Sequence, residues 1–281
     1  MAKAAKVKEQ HDPIHVVVYG ESGSGKSTFL STFPSPMLVL QFDPVDKSGP
    51  YLRTGIPQAP RLDEHCIVRD ILTKTGKLKT RVEYYHDVDL GRTGAGRTRA
   101  NAYQSFRKRV DSLYDELSQW ATVIIDSVTY MEIAARKLDQ YVLNAGSKEP
   151  RQWYAASTET LEEMLMCVFA NFPCNVGVSA HISTDRKKVR GIDDTLVMTL
   201  AAPGRLARAI PSGYGEVYHC YLTHDDDGQI IHQLQTEASD EYVAGSQIQA
   251  PNPVYPDYRS LWTPRDGAKA VEAGETDGEA A

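Results

Sequence analysis

The chain has 281 residues, of which 41% are hydrophobic and 24% charged, with a formal net charge of −6. These are ordinary values for a globular protein and exclude a fibrous class or a disordered body. Cores stop growing near about 250–300 residues, so one large α/β domain, with or without an insertion, is expected. No apolar run approaches the roughly 20 residues that cross a bilayer, and the start "MAKAAKVKEQHD" lacks a signal peptide's apolar stretch, so a cytoplasmic protein with no membrane partner is expected. Cys66, Cys167, Cys174 and Cys220 form no C-x-x-C pair, which argues against a zinc knuckle or a disulfide framework.

Residues 1–13 read as a flexible N-terminus. The run "IHVVVY" (14–19) then reads as a strand ending at Gly20, and "KSTFLSTF" as the helix after it. Between them Gly20, four residues, Gly25, Lys26 and Ser27 fit G-x-x-x-x-G-K-[ST], the Walker A loop, whose backbone N–H groups wrap a phosphate. Gly20, Glu21, Ser22, Gly23, Ser24, Gly25, Lys26, Ser27 and Thr28 are therefore the nucleotide-binding candidates. Lys26 is assigned to the β- and γ-phosphates and Ser27 to Mg²⁺, so ATP and Mg²⁺ are the expected cofactors. A chance match in a Gly/Ser-rich loop is the competing explanation, and the flanking strand and helix weigh against it.

A second apolar run, "MLVLQF" (37–42), ends at Asp43 as a buried parallel strand does. Asp43 and nearby Asp46 are candidates to orient or deprotonate water, although Asp beside Pro44 also suits an ordinary turn. Residues 44–99 read as an insertion. It comprises an irregular Pro/Gly-rich connection, a β-hairpin over 65–90 around the turn Lys74–Lys77, and a mobile segment over 91–99. Basic residues outnumber acidic ones from Arg69 to Arg109, which suits DNA or an oligomer contact, or only a protected sheet edge.

Residues 100–120 repeat apolar side chains with a helical period, and "ATVIID" (121–126) is a strand ending in Asp126. Asp126 is placed like a Walker B carboxylate that holds Mg²⁺ through water; the alternative is a cap on the following helix. Helices are expected over 127–143 and about 152–170. Between them Lys148 and Arg151, with Trp153 and Tyr154, suit single-stranded DNA, unless the aromatic pair merely starts the helical core. The strand "NVGVSAH" (175–181) ends at His181, either a sensor beside the γ-phosphate or a satisfied half-buried histidine.

The charged loop 184–194 offers Arg186, Lys187, Lys188 and Arg190 to a phosphate backbone, or to solvent. Arg205 and Arg208, in a short helix, are either arginine fingers reaching across a subunit boundary or surface residues. A C-terminal antiparallel hairpin, "EVYHCYL" and "IIHQLQT", closes a core ending near 250, and 251–281 reads as an acidic, largely disordered tail. Strands alternating with helices predict a mostly parallel sheet flanked by helices.

Taken together, "GESGSGKST", "ATVIIDSVTY", "RQWY", "VGVSAHIST" and "APGRLARAIPSGYGEVYH" resemble the RecA-like ATPases of bacteriophage recombination and single-strand annealing, with interruptions, from about 14 to about 236. The resemblance implies a RecA-like P-loop NTPase core that binds ATP and Mg²⁺ and assembles as a homo-oligomer, ring or filament. It also implies contact with single-stranded DNA through residues 144–152 and 183–194. A single-stranded-DNA-binding protein or another replication partner, and the cytoplasm of an infected host, are further implications. Such families usually carry glutamate just after the second strand, where this chain reads "QFDPVDK". Two other functions stay open: a nucleotide-dependent replication-assembly or helicase-loading factor with slight turnover, and a small-molecule kinase.

Overall fold

A computed structural model describes residues 12–64, 66–87, 100–145, 149–189, 192–202 and 205–262, with the side chains of 45, 46, 150, 184–189 and 192–199 set aside. In chain order it runs β1 (His15–Gly20), α1 (Lys26–Leu30), β2 (Met37–Gln41), α2 (Gly49–Leu52), β3 (Ile56–Pro57), β4 (Arg61–Leu62), β5 (Ile67–Leu72), β6 (Leu78–Tyr84), α3 (Ala102–Leu113), β7 (Thr122–Asp126), α4 (Val128–Leu138), α5 (Pro150–Glu162), β8 (Asn175–Val189), β9 (Ile192–Leu200), α6 (Leu206–Gly213), β10 (Glu216–His224), β11 (Ile230–Gln235) and β12 (Gly245–Ser246).

The strands order as β11-β10-β1-β8-β7-β2-β6-β5-β3. From β10 to β6 every pairing is parallel. Parallel strands sandwiched between helices are apolar on both faces, which is why β1, β2 and β7 read as unbroken Val/Ile/Leu runs. Val17, Tyr19, Leu38, Leu40, Val123 and Ile125 pack with residues of α3, α4, α5 and α6. Their neighbours Val16, Val18, Met37, Val39 and Ile124 pack with Phe29 and Leu30 of α1 on the other face. A glycine in the middle of β8 allows that approach: a Cβ on Gly177 would lie 2.7 Å from Leu30 Cδ2. This is the mostly parallel, helix-flanked sheet expected of a RecA-like P-loop protein, and β10 and β11 form the expected C-terminal antiparallel hairpin.

Three sequence expectations change. The hairpin of 65–90, read as an insertion, joins the main sheet: β6 pairs in parallel with β2, and β5 turns back antiparallel to it. Several basic residues in and around the hairpin are engaged in structure. Arg81 and Arg61 pair with Asp70 at 2.8 and 2.7 Å, Lys79 Nζ donates to Thr54 O, and buried Arg109 of α3 bridges Glu83 and Glu116 at 3.1 and 2.9 Å.

The charged loop expected at 184–194 is instead a two-stranded extension. Beyond Ala180, β8 continues antiparallel to β9, from Ile182↔Leu200 to Val189↔Ile192. The acidic tail begins later than 251: Val254 bridges Leu234, Leu261 is buried, and Tyr258 packs its ring 4.8 Å from Phe33. Residues 1–11, 88–99 and 263–281, which carry the expected flexible start, mobile segment and remaining tail, lie outside the described residues. Among the described residues no helix is long and apolar enough to cross a membrane.

Candidate active site

The glycine-rich loop, Asp43, Asp126 and His181 converge on the carboxyl edge of the central strands. The loop leaving β1 turns into α1 through Gly25, whose φ of +106° is left-handed backbone that favours glycine. A Cβ there would also lie 2.8 Å from His232 Nδ1. Ser24 O accepts from His232 Nδ1 at 2.7 Å and from Cys220 Sγ at 3.0 Å, so β10 and β11 brace the loop from the side. Glu21, Ser22, Gly23 and Thr28 are exposed around it, while Ser24 and Lys26 are buried.

Lys26 Nζ donates to Gly20 O at 2.9 Å and Glu21 O at 2.7 Å, holding the ammonium at the rim of the loop. Burial pulls its pKa down, and Asp126 and Asp43 oppose that pull. A phosphate over the loop supplies the missing countercharge, so the cradle fits a nucleotide's β- and γ-phosphates.

Asp126, at the end of β7, is buried and accepts hydrogen bonds on both oxygens. Oδ2 receives Ser27 Oγ at 2.8 Å and Tyr51 OH at 2.7 Å, and Oδ1 receives Ser179 Oγ. Burial, then the charge of Asp43, push its pKa up, against the three hydroxyl donors. Burial and Asp126 likewise hold the Tyr51 phenol well above its ordinary range, so it stays a donor. The Ser27 hydroxyl and Asp126 carboxylate are hard oxygen ligands of the kind Mg²⁺ takes alongside phosphate and water. Among the described residues no group of three or more His, Cys, Asp or Glu side chains forms a denser metal site.

Asp43 stands beside this pair because its N–H and that of Phe42 both donate to Asp126 O, at 3.2 and 2.7 Å. Asp43 Oδ1 accepts from Ser127 Oγ at 2.5 Å, and Oδ2 lies 3.8 Å from His181 Nε2. Burial alone would raise its pKa; the facing His181 ring and the Ser127 hydrogen bond outweigh that and leave it below the usual carboxylate range. His181 faces Gly20 across the β1/β8 ladder, as its predicted place beside the P-loop strand requires.

These residues bring a Walker A-type loop and two buried carboxylates, Asp126 and Asp43, together at one sheet edge. Residues 12–248 match the profile of AAA_24, described as an AAA domain. The chain belongs to that family. It is an AAA-type P-loop ATPase domain, and no curated protein sequence matches it. Among solved structures, the domain is similar to a type III secretion ATPase of pathogenic bacteria, at 14% identity and TM-score 0.42, over 77% of this chain and 53% of that one. It is also similar to the assembled ATPase EscN of enteropathogenic E. coli, at 13% identity and TM-score 0.40, over 74% and 43%. A third is the flagellar accessory protein FlaH of Methanocaldococcus jannaschii, at 7% and 0.36, over 86% and 84%. The chain thus spans about half the length of the two secretion ATPases.

Other candidates of the AAA domain sit on other elements. Arg205, at the N-cap of α6, pairs with Glu162 of α5 at 2.5 Å, and exposed Arg208 lies in α6, whose buried residues pack on the sheet face opposite α1. Arg151 sits exposed in the first turn of α5, and Tyr154 packs under Arg136, its ring centroid 5.3 Å from the guanidinium carbon. Arg186, Lys187 and Lys188 lie on the β8 backbone, and their side chains, with that of Asp46, are outside the described set, as are residues Lys148 and Arg190 altogether.

Sequence reasoning missed Tyr51, Ser127, Ser179, Cys220 and His232. Ser127 had a signal, since it follows the strand-ending Asp126. The others are single polar residues whose role depends on which strand or turn lies next to them.

Proposed function

We propose that this AAA domain hydrolyses ATP to ADP and phosphate and uses the nucleotide state to control a grip on single-stranded DNA, as a recombination or annealing protein working as a homo-oligomer. The observation that carries the reading is His181. It sits 3.8 Å from the Asp43 carboxylate, and its strand continues unbroken into the β8–β9 extension that bears Arg186, Lys187 and Lys188. The sequence resemblance to phage recombination ATPases supports the DNA end of the link.

Lys26 and the loop N–H groups hold and neutralise the phosphates, and Ser27 with Asp126 would hold Mg²⁺, which supplies charge stabilisation to the transferred phosphoryl group. Asp43, ionised at neutral pH, accepts the proton of the attacking water. His181 reports the change at that carboxylate along β8. Arg205 and Arg208, exposed at and in α6, are the residues a neighbouring subunit would use.

The test is steady-state phosphate release with Mg²⁺ and ATP, with and without single-stranded DNA, against Lys26→Ala. Stimulation by DNA is expected, together with a flatter salt dependence of DNA binding when Arg186, Lys187, Lys188 and Arg190 are neutralised. DNA-independent turnover overturns the coupling. Asp43, one methylene shorter than the glutamate of the resembled families, favours a second reading in which slow turnover times assembly with a replication partner. Negligible phosphate release alongside nucleotide-dependent oligomerisation would select it.

A further inference from the structure

The insertion expected at 44–99 contributes a side chain directly to the carboxylate that faces the metal position. Tyr51 lies in the single turn of α2, wholly buried among the residues packed on α1, and its hydroxyl points at Asp126 rather than at solvent. No local requirement of the fold places a hydroxyl there. A phenylalanine would fill the same apolar volume, and leaving a buried hydroxyl without a partner is costly. The hydroxyl is instead satisfied by the same oxygen, Oδ2, that accepts from Ser27.

We propose that Tyr51 is a positioning residue for Mg²⁺: by donating to Asp126 Oδ2 it fixes the rotation of the carboxylate, so that Ser27 and a metal-bound water meet it in one geometry. The proposal rests on the ATP and Mg²⁺ reading above. Without Tyr51, Oδ2 is held by Ser27 alone, and Ser27 is itself the residue that turns its oxygen to the metal. The carboxylate then has to be ordered at the moment the metal binds. Ser179 anchors only Oδ1 and leaves rotation about that contact open. Outer partners of metal ligands commonly govern affinity in this way, at about 10- to 100-fold per partner.

The measurement is binding of a fluorescent ATP analogue as Mg²⁺ is titrated, with affinity in EDTA recorded separately. Tyr51→Phe is expected to raise the Mg²⁺ midpoint about tenfold and to leave the metal-free affinity within twofold. Tyr84→Phe, which removes another buried hydroxyl of the same segment, bonded to Ser48 at 3.1 Å, is expected to leave the midpoint unchanged. Adding Tyr51→Phe to Asp126→Asn should change nothing further, because the effect passes through that carboxylate.

An unchanged or lowered midpoint in folded Tyr51→Phe protein overturns the proposal, as does an equal shift in Tyr84→Phe. Should Tyr51→Phe unfold, a ring-fluorinated tyrosine at position 51 keeps the shape and alters the donor strength; a Mg²⁺ midpoint unmoved by it also overturns the assignment. If wild-type binding shows no Mg²⁺ dependence, or Lys26→Ala binds as tightly as wild type, the ATP and Mg²⁺ reading itself has failed, a different result from any of these.

Discussion

Replacing Asp43 with asparagine keeps the side chain's shape, and the amide oxygen still accepts the hydrogen bond that Ser127 makes at 2.5 Å. What disappears is the negative charge 3.8 Å from His181 and the capacity to take a proton from water. General-base catalysis contributes about 10²–10⁴-fold. Because hydrogen bonding holds the Asp43 pKa low, it is a weak base, and the lower end of that range applies. A hundredfold fall in kcat corresponds to about 2.7 kcal/mol of barrier. Single-turnover phosphate release at saturating ATP measures it, with nucleotide affinity determined in parallel and expected to stay within a factor of two or three. A kcat within threefold of wild type at unchanged affinity would refute the assignment of the base. A matching fall in affinity would show instead that Asp43 acts on ground-state binding.

Among the described residues, Arg109→Leu leaves buried Glu83 with only the 2.7 Å hydrogen bond from Tyr85, and unpairing a buried ion costs about 3–5 kcal/mol, or roughly 10 °C of melting temperature for a unit of this size. A chemical-denaturation loss under 1 kcal/mol would count against it, and Glu83→Gln in the same chain should recover part of the loss. Gly25→Ala forces a side chain into left-handed backbone and against His232. It is expected to cost about 1–3 kcal/mol locally and to weaken nucleotide binding in a fluorescence titration while the melt moves little. Intact nucleotide affinity would show that the loop tolerates the strain. Burial depresses the pKa of both His86 and His219, so the folded state resists their protonation. Stability from this source is therefore present above the unfolded value near about 6.5 and is lost as pH falls through the lower folded values. Melts recorded downward from pH 7 should show that loss, and a flat profile would contradict it.

The candidate site was legible where its residues are contiguous. Gly20 to Ser27 must be spaced as they are for one loop to wrap a phosphate, and an apolar strand ending in Asp126 or His181 places that side chain at the sheet's carboxyl edge whichever strands flank it. Partners were not legible. Tyr51 and Ser179 meet Asp126 across 75 and 53 residues, and His232 meets Ser24 across 208, contacts that exist only because of strand order and register. The hydrophobic pattern of β6 says that it is buried and is silent on its neighbour. Only the open edge of β2 decided that a hairpin read as an insertion would become part of the main sheet. Residues 251–262 were grouped with the acidic tail because Val254, Leu261 and Trp262 are scattered among Pro, Tyr and polar residues, with no period to read. Their order comes from surfaces built elsewhere in the chain, the edge of β11 and the flank of α1, and composition carries no record of these.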